Sequence, residues 1–149
     1  MELTYDNIVK WMKDYFHAYS NYGQDPETVH RMHDYFAPDL EFIPYIAALR
    51  KDMTSRDTFL QVTSSHPSWY ETLTPEDITV DEKRGVAVVL FRLEVIDRKT
   101  GEVVVKKRAM SHYQLVLDEN KTIKIRKIQF FWEVLPPGVP EFYDLFGMD

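Results

Sequence analysis

The chain has 149 residues, 44% of them hydrophobic, and a formal net charge of −6, the size of one ordinary domain with enough apolar material for a real core. It has no cysteine, and its basic residues are dispersed apart from Lys106-Lys107-Arg108, which excludes disulfide, thiolate and zinc–thiolate chemistry and argues against a nucleic-acid partner. No apolar run nears the ~18 residues of a membrane span and no leader-like segment opens the chain, so a cytoplasmic single domain over residues 1–149 without membrane contact is expected.

Aromatic residues are frequent, with 9 Tyr, 9 Phe and 3 Trp. Such a set suits a core that also lines a cavity for an organic ligand, or simply an aromatic core. In chain order, Thr4 or Asp6 caps a first helix. Its apolar stripe, Ile8, Trp11, Met12, Tyr15, Phe16, Tyr19 and Tyr22, recurs at three- and four-residue steps until Gly23. Asp25-Pro26 opens a second helix, with Val29, Met32, His33 and Phe36 as its buried stripe. His30 and His33 have an H-x-x-H spacing, but no further ligand stands on that helix, so no metal is expected and His33 reads as a core residue. A short strand follows over Leu40–Tyr45, held to an edge or bulge by Pro44. Thr54 with Asp57 opens a third helix, whose buried line is Phe59, Val62 or Thr63, and then His66. A partly buried His there titrates near neutrality and transfers protons, or else caps the helix end. Ser68–Leu73 and Ile78–Asp81 read as short extended pieces around a turn at Thr74-Pro75-Glu76-Asp77.

Three long antiparallel strands close the chain: Val86–Ile96, Glu102–Leu117 and Thr122–Val134, separated by Asp/Asn/Gly turns. Strands of this length bend, and the concave face must be filled. In the first, Ala87, Val89, Phe91, Leu93 and Val95 form one apolar face, while Val86, Val88 and Leu90 begin the other before Arg92 and Glu94. Apolar residues on both faces require cover on both sides. Helices cover one, so a homodimer through the outer face is expected. Arg92 and Glu94 stand either at a pocket mouth or in a solvated ion pair. In the last strand the apolar phase shifts between Ile125 and Ile128, which places a bulge near Arg126-Lys127.

Helices followed by a strongly bent sheet, together with Tyr35-Phe36-Ala37-Pro38-Asp39-Leu40-Glu41-Phe42, Thr54-Ser55-Arg56-Asp57 and Gln129-Phe130-Phe131-Trp132-Glu133-Val134, resemble the nuclear transport factor two-like superfamily. Its SnoaL-like, ketosteroid isomerase-like and scytalone dehydratase-like members are the nearest in layout. The resemblance implies an α+β fold: a cone-shaped, strongly bent antiparallel sheet with three N-terminal helices on its concave face, a cystatin-like roll. Ile43 falls where ketosteroid isomerases carry their carboxylate base, Tyr15 or Phe16 where they carry a helix tyrosine, and Tyr113 at their oxyanion aspartate. Likeness to scytalone dehydratase picks out Tyr22, Pro44 or Tyr45, and His66, sets Met110 at its strand histidine with His112 two residues later, and implies a lid formed by the Pro- and Phe-rich tail 136–149. Asp39-Leu40-Glu41-Phe42-Ile43-Pro44 resembles the small subunits of ring-hydroxylating dioxygenases.

Two functional expectations follow. One is a cofactor-free lyase, isomerase or cyclase acting on an apolar aromatic or polyketide-like compound. Its proton-transfer groups are His66, Tyr15, Tyr19, Tyr45 and Tyr113; its ligand contacts are Phe16, Ile43, Phe59, Arg92, Glu94, Ile128, Phe130 and Trp132. The other is a non-catalytic dimeric ligand-binding module or accessory protein.

Overall fold

The computed structural model describes residues 2–45 and 52–132; the proposed lid, 136–149, lies outside the described residues. The fold is α+β. Helix α1 runs Tyr5–Ala18, strand β1 Phe36–Tyr45, helix α2 Arg56–Thr63, and strands β2 to β5 are Trp69–Asp81, Val86–Asp97, Val103–Leu117 and Ile123–Trp132. One five-stranded sheet has the order β1-β5-β4-β3-β2. β2 to β5 pair antiparallel in sequence, and β1 joins the edge parallel to β5. The sheet is therefore mixed rather than purely antiparallel: β1 reaches its partner by way of the whole meander, so a hairpin cannot set its direction.

Thr4 caps α1 by accepting from the Asn7 amide. The helix buries Ile8, Met12, Tyr15, Phe16 and Ala18 and packs across β2 and β3. It stops five residues before the expected Gly23, and Tyr19–Gly23 forms a single π-helical turn. Ser20 fixes that turn to β2, since its Oγ donates to the Leu73 carbonyl at 3.1 Å and accepts from the Leu73 amide at 2.8 Å. Gly23 allows a close approach: a Cβ there would lie 3.1 Å from Tyr19 Cδ2.

The expected second α-helix is instead a 3₁₀ helix over Val29–Tyr35 that buries Met32 alone. Thr, Val and two His are weak helix formers, and the segment is drawn into β1 at Phe36. His30 and His33 are both exposed, so His33 is not a core residue. α2 begins one residue later than expected, with Ser55 as the cap accepting from the Thr58 amide at 3.2 Å.

The long strands lie where the turn chemistry puts them. Gly85 and Gly101 take positive φ at strand ends. Pairing between β4 and β5 skips Arg126, since Gln114 opposes Lys127 and Leu115 opposes Ile125; this is the expected bulge. β2 is one continuous strand with a register shift between Pro75 and Asp77, where a turn was expected between two short pieces. Continuous pairing to β3 carries the chain straight through the proline, which a bulge on an edge strand tolerates. Among the described residues no helix is long and apolar enough to cross a membrane.

Candidate functional site

The core does not fill the hollow of the sheet. Between α1, α2 and the inner faces of the strands lies a chamber of about 200 Å³. Apart from Thr63 of α2 its walls are apolar: Phe42 from β1, Phe59 from α2, Leu73 from β2, Phe91 and Leu93 from β3, and Ile128, Phe130 and Trp132 from β5. Phe42 and Phe91 each stack on Phe130, with ring centres 6.1 Å apart and planes 28° from parallel. Four polar residues enter this lining apart from Thr63: Tyr15 and Tyr19 from α1 and its π turn, Tyr113 and Ser111 from β4. A carboxylate, Glu71 of β2, joins them.

Glu71 is the group that sequence reasoning missed. The Tyr19 hydroxyl donates to its Oε1 at 2.7 Å, and the Gln24 amide donates to the same oxygen at 3.0 Å. Gln24 also donates to the Tyr19 hydroxyl at 2.7 Å, and its backbone carbonyl accepts from Arg98 Nη2 at 2.6 Å. Among the described residues both bonds to the carboxyl fall on Oε1, so there Oε2 keeps its lone pairs for another partner. Glu71 retains some solvent exposure, yet protein surrounds it closely. Burial is the largest influence and raises its carboxyl above the ordinary range, while the Tyr19 hydrogen bond and the nearby His66 pull it partly back. Partial desolvation opposed by donors tunes how tightly a carboxyl holds its proton, which suits it to proton transfer. One signal was available: Glu71 shares its alternation phase with Leu73, so a strand through both turns Glu71 inward.

The three phenols behave differently. Burial pushes Tyr15 and Tyr19 well above the ordinary tyrosine range, and neighbouring Tyr113 and Glu71, respectively, add to it. Burial also raises Tyr113. All three are neutral donors at physiological pH, suited to an oxygen that gains charge rather than to removing a proton.

The chamber thus gathers Tyr15, Tyr19, Tyr113, Phe59, Ile128, Phe130 and Trp132 from the expected set. The others lie elsewhere. Phe16 packs beneath the wall, edge-on to Phe91 at 5.1 Å. Ile43 and Tyr45 pair with Gln129 and Phe131 and so belong to the opposite face of the sheet; Tyr45 stacks on Phe131 at 4.6 Å and its hydroxyl accepts from Gln129. Arg92 and Glu94 also face outward, in an ion pair of 3.0 Å. β1 has its own phase, which the position of Pro44 does not reveal. His66 is exposed because α2 ends at Thr63, before the stripe reaches it. It borders a separate groove of about 230 Å³ that shares Glu71 and Trp132 with the chamber. Among the described residues no group of three or more His, Cys, Asp or Glu is placed to hold a metal ion.

A long bent sheet whose hollow is closed by N-terminal helices, with the first strand added in parallel at the edge, decides the architecture. This is an NTF2-like fold. No protein-family model matches the sequence, and no curated protein matches it either. Solved structures with the NTF2-like fold do match. An NTF2-like protein from Anabaena variabilis superposes with a TM-score of 0.62 at 17% identity, covering 90% of this chain and 95% of that one. The epoxide hydrolase/cyclase-like enzyme SalBIII, named for pyran ring formation in the polyether salinomycin, gives 0.62 at 13%, covering 88% and 94%. A ketosteroid isomerase-like protein from Erwinia carotovora atroseptica gives 0.60 at 14%, covering 86% and 95%. The NTF2-like fold hosts many chemistries, so function has to be argued from the chamber.

Proposed function

We propose that this chain is a small-molecule enzyme in which Glu71 moves a proton on an apolar ring compound seated in the chamber. The observation that carries the reading is a partly desolvated carboxyl, gripped on one oxygen by Tyr19 and Gln24, lining an otherwise greasy cavity. As a base, Glu71 takes a proton from carbon. The electron pair of that bond passes into an adjacent carbonyl or expels a leaving group, and a buried phenol donates to the oxygen that gains charge. Returning the proton to a second carbon makes an isomerase; returning it to a departing hydroxyl makes a dehydratase. His66, at the neighbouring groove, exchanges that proton with solvent. The epoxide hydrolase/cyclase-like and ketosteroid isomerase-like names among its structural neighbours agree with acid–base work on compact organic substrates.

The test uses 5-nitrobenzisoxazole: when a base removes its one isoxazole C–H, the N–O bond breaks and a coloured cyano-nitrophenolate forms. Wild type accelerates the opening over buffer, and Glu71→Gln loses about 100-fold or more of that acceleration, the usual worth of a positioned base. Equal rates in the two proteins would sink the assignment of Glu71.

A second reading, a dimeric binding module, rests on the outer face. Leu90, Met110, Phe131 and Tyr45 fall in one row across β3, β4, β5 and β1, and Met110 and Phe131 are each 46% exposed. Charges of both signs flank the row, in the pairs Arg92–Glu94 and Arg108–Glu76. We infer that a second copy of the chain covers it, since a two-fold axis sets the apolar row against itself and lets both signs find partners. Sedimentation velocity should give a dimer that Met110→Lys splits; a wild-type monomer at tens of micromolar would refute it.

A further inference from the structure

Two donor atoms on residues of the chamber lining are buried without a hydrogen-bond partner among the described residues. Ser111 is fully buried, and neither its Oγ nor Trp132 Nε1 has a hydrogen-bond partner among the described residues. Both residues line the chamber. Ser111 opposes Phe130 and Ala109 opposes Trp132, so Ser111 and Trp132 are diagonal neighbours on the inner face. That diagonal is about 7–8 Å, within reach of an indole. Tyr113 stands two residues on from Ser111, near enough for the serine to favour its phenolate, without a bond of acceptable geometry to Ser111 Oγ. Buried polar groups are nearly always paired, because an empty donor carries a desolvation penalty that a partner relieves. An indole N–H only donates, whereas a serine hydroxyl donates or accepts. A partner common to both is therefore an acceptor oxygen.

Size and shape narrow the choice. An engineered cavity of about 150 Å³ holds benzene; this one is about 200 Å³, room for one ring with a small substituent. Phe42 and Phe91 each stack on Phe130 with planes 28° apart, an aromatic wall that suits a flat body. Resting on the reading of the chamber as a small-molecule site, we propose that Ser111 and Trp132 form an acceptor subsite that binds the carbonyl oxygen of a single-ring aromatic ketone or aldehyde. The ring lies on the phenylalanine wall, and the two donors fix its orientation.

The probes are acetophenone and α-methylstyrene, which has a methylene in place of the carbonyl oxygen at nearly the same shape. Binding is followed by NMR titration, with the Trp132 indole N–H resonance assigned through Trp132→Phe. Acetophenone should move that resonance downfield and α-methylstyrene should not. Ser111→Ala should weaken acetophenone about tenfold and leave α-methylstyrene unchanged. This within-ligand comparison cancels their different solubility in water. If both ligands bind and neither the indole shift nor Ser111→Ala tells them apart, the subsite is overturned while the chamber stands. A trapped water as sole partner of the two donors would give that same result. If neither probe binds the wild type, the small-molecule reading falls and the subsite with it. Should Ser111→Ala fail to fold, the indole shift in wild type still decides.

Discussion

Tyr19→Phe probes the Glu71 network most directly. The substitution removes one hydroxyl and keeps the ring, which is buried against Tyr15. What is lost is the 2.7 Å bond to Glu71 Oε1 and the contact from Gln24. Gln24 retains its own bond to Glu71, while its other side-chain N–H loses the Tyr19 acceptor. A hydrogen bond to a charged group is worth about 1.5–3 kcal/mol and a neutral one about 0.5–1.5 kcal/mol. The variant should therefore lose about 2 kcal/mol when Glu71 is ionised and about 1 kcal/mol when it is protonated. The sign follows from linkage. Burial raises the folded-state carboxyl and the Tyr19 bond lowers it, so removing the bond raises it further. A carboxyl raised on folding binds its proton more tightly in the folded chain, so stability falls as pH climbs from the unfolded value, about 4.3, through the folded one. Tyr19→Phe deepens that fall. Thermal melts at pH 4 and pH 7.5 give the assay. At about 2–4 °C per kcal/mol for a chain of this size, the loss should be about 2–4 °C in acid and about 4–8 °C near neutrality. An equal loss at both pH values, or none at the higher one, would refute the buried ionised pairing.

Glu71→Gln keeps a side-chain oxygen for Tyr19 and Gln24 and removes the charge. Its stability should match wild type in acid and exceed it increasingly as pH rises; urea titrations that stay parallel from pH 4 to 8 would show that Glu71 is not desolvated. Gly23→Ala sets a methyl 3.1 Å from the Tyr19 ring, which is buried and bonded at its hydroxyl and so has little room to yield. It should cost about 1–3 kcal/mol as an overpacked site and slow the opening of 5-nitrobenzisoxazole. Unchanged melting and unchanged rate would mean that the π turn does not seat Tyr19.

The outline of the fold was legible because it depends on local chemistry. Alternating Val, Ile and Leu, interrupted at Gly85, Gly101 and the Asp118 turn, placed β3, β4 and β5 to within a residue or two, and the phase slip after Ile125 located the bulge at Arg126. The aromatic stripe of α1 likewise announced Tyr15 and Tyr19 as inward residues. What stayed hidden depends on contacts far apart in sequence. Tyr19 and Glu71 meet across 52 positions, and neither carries a local mark of the other. Ile43 and Tyr45 share one face of β1, and only pairing with β5 decides that this face turns away from the hollow. His66 continued a helical stripe on paper, but α2 ends at Thr63. Periodicity tells which residues share a face; which face closes over the chamber is decided when the sheet bends and the helices dock, and that step brought in Glu71 and Ser111 and left out Ile43, Tyr45 and Arg92.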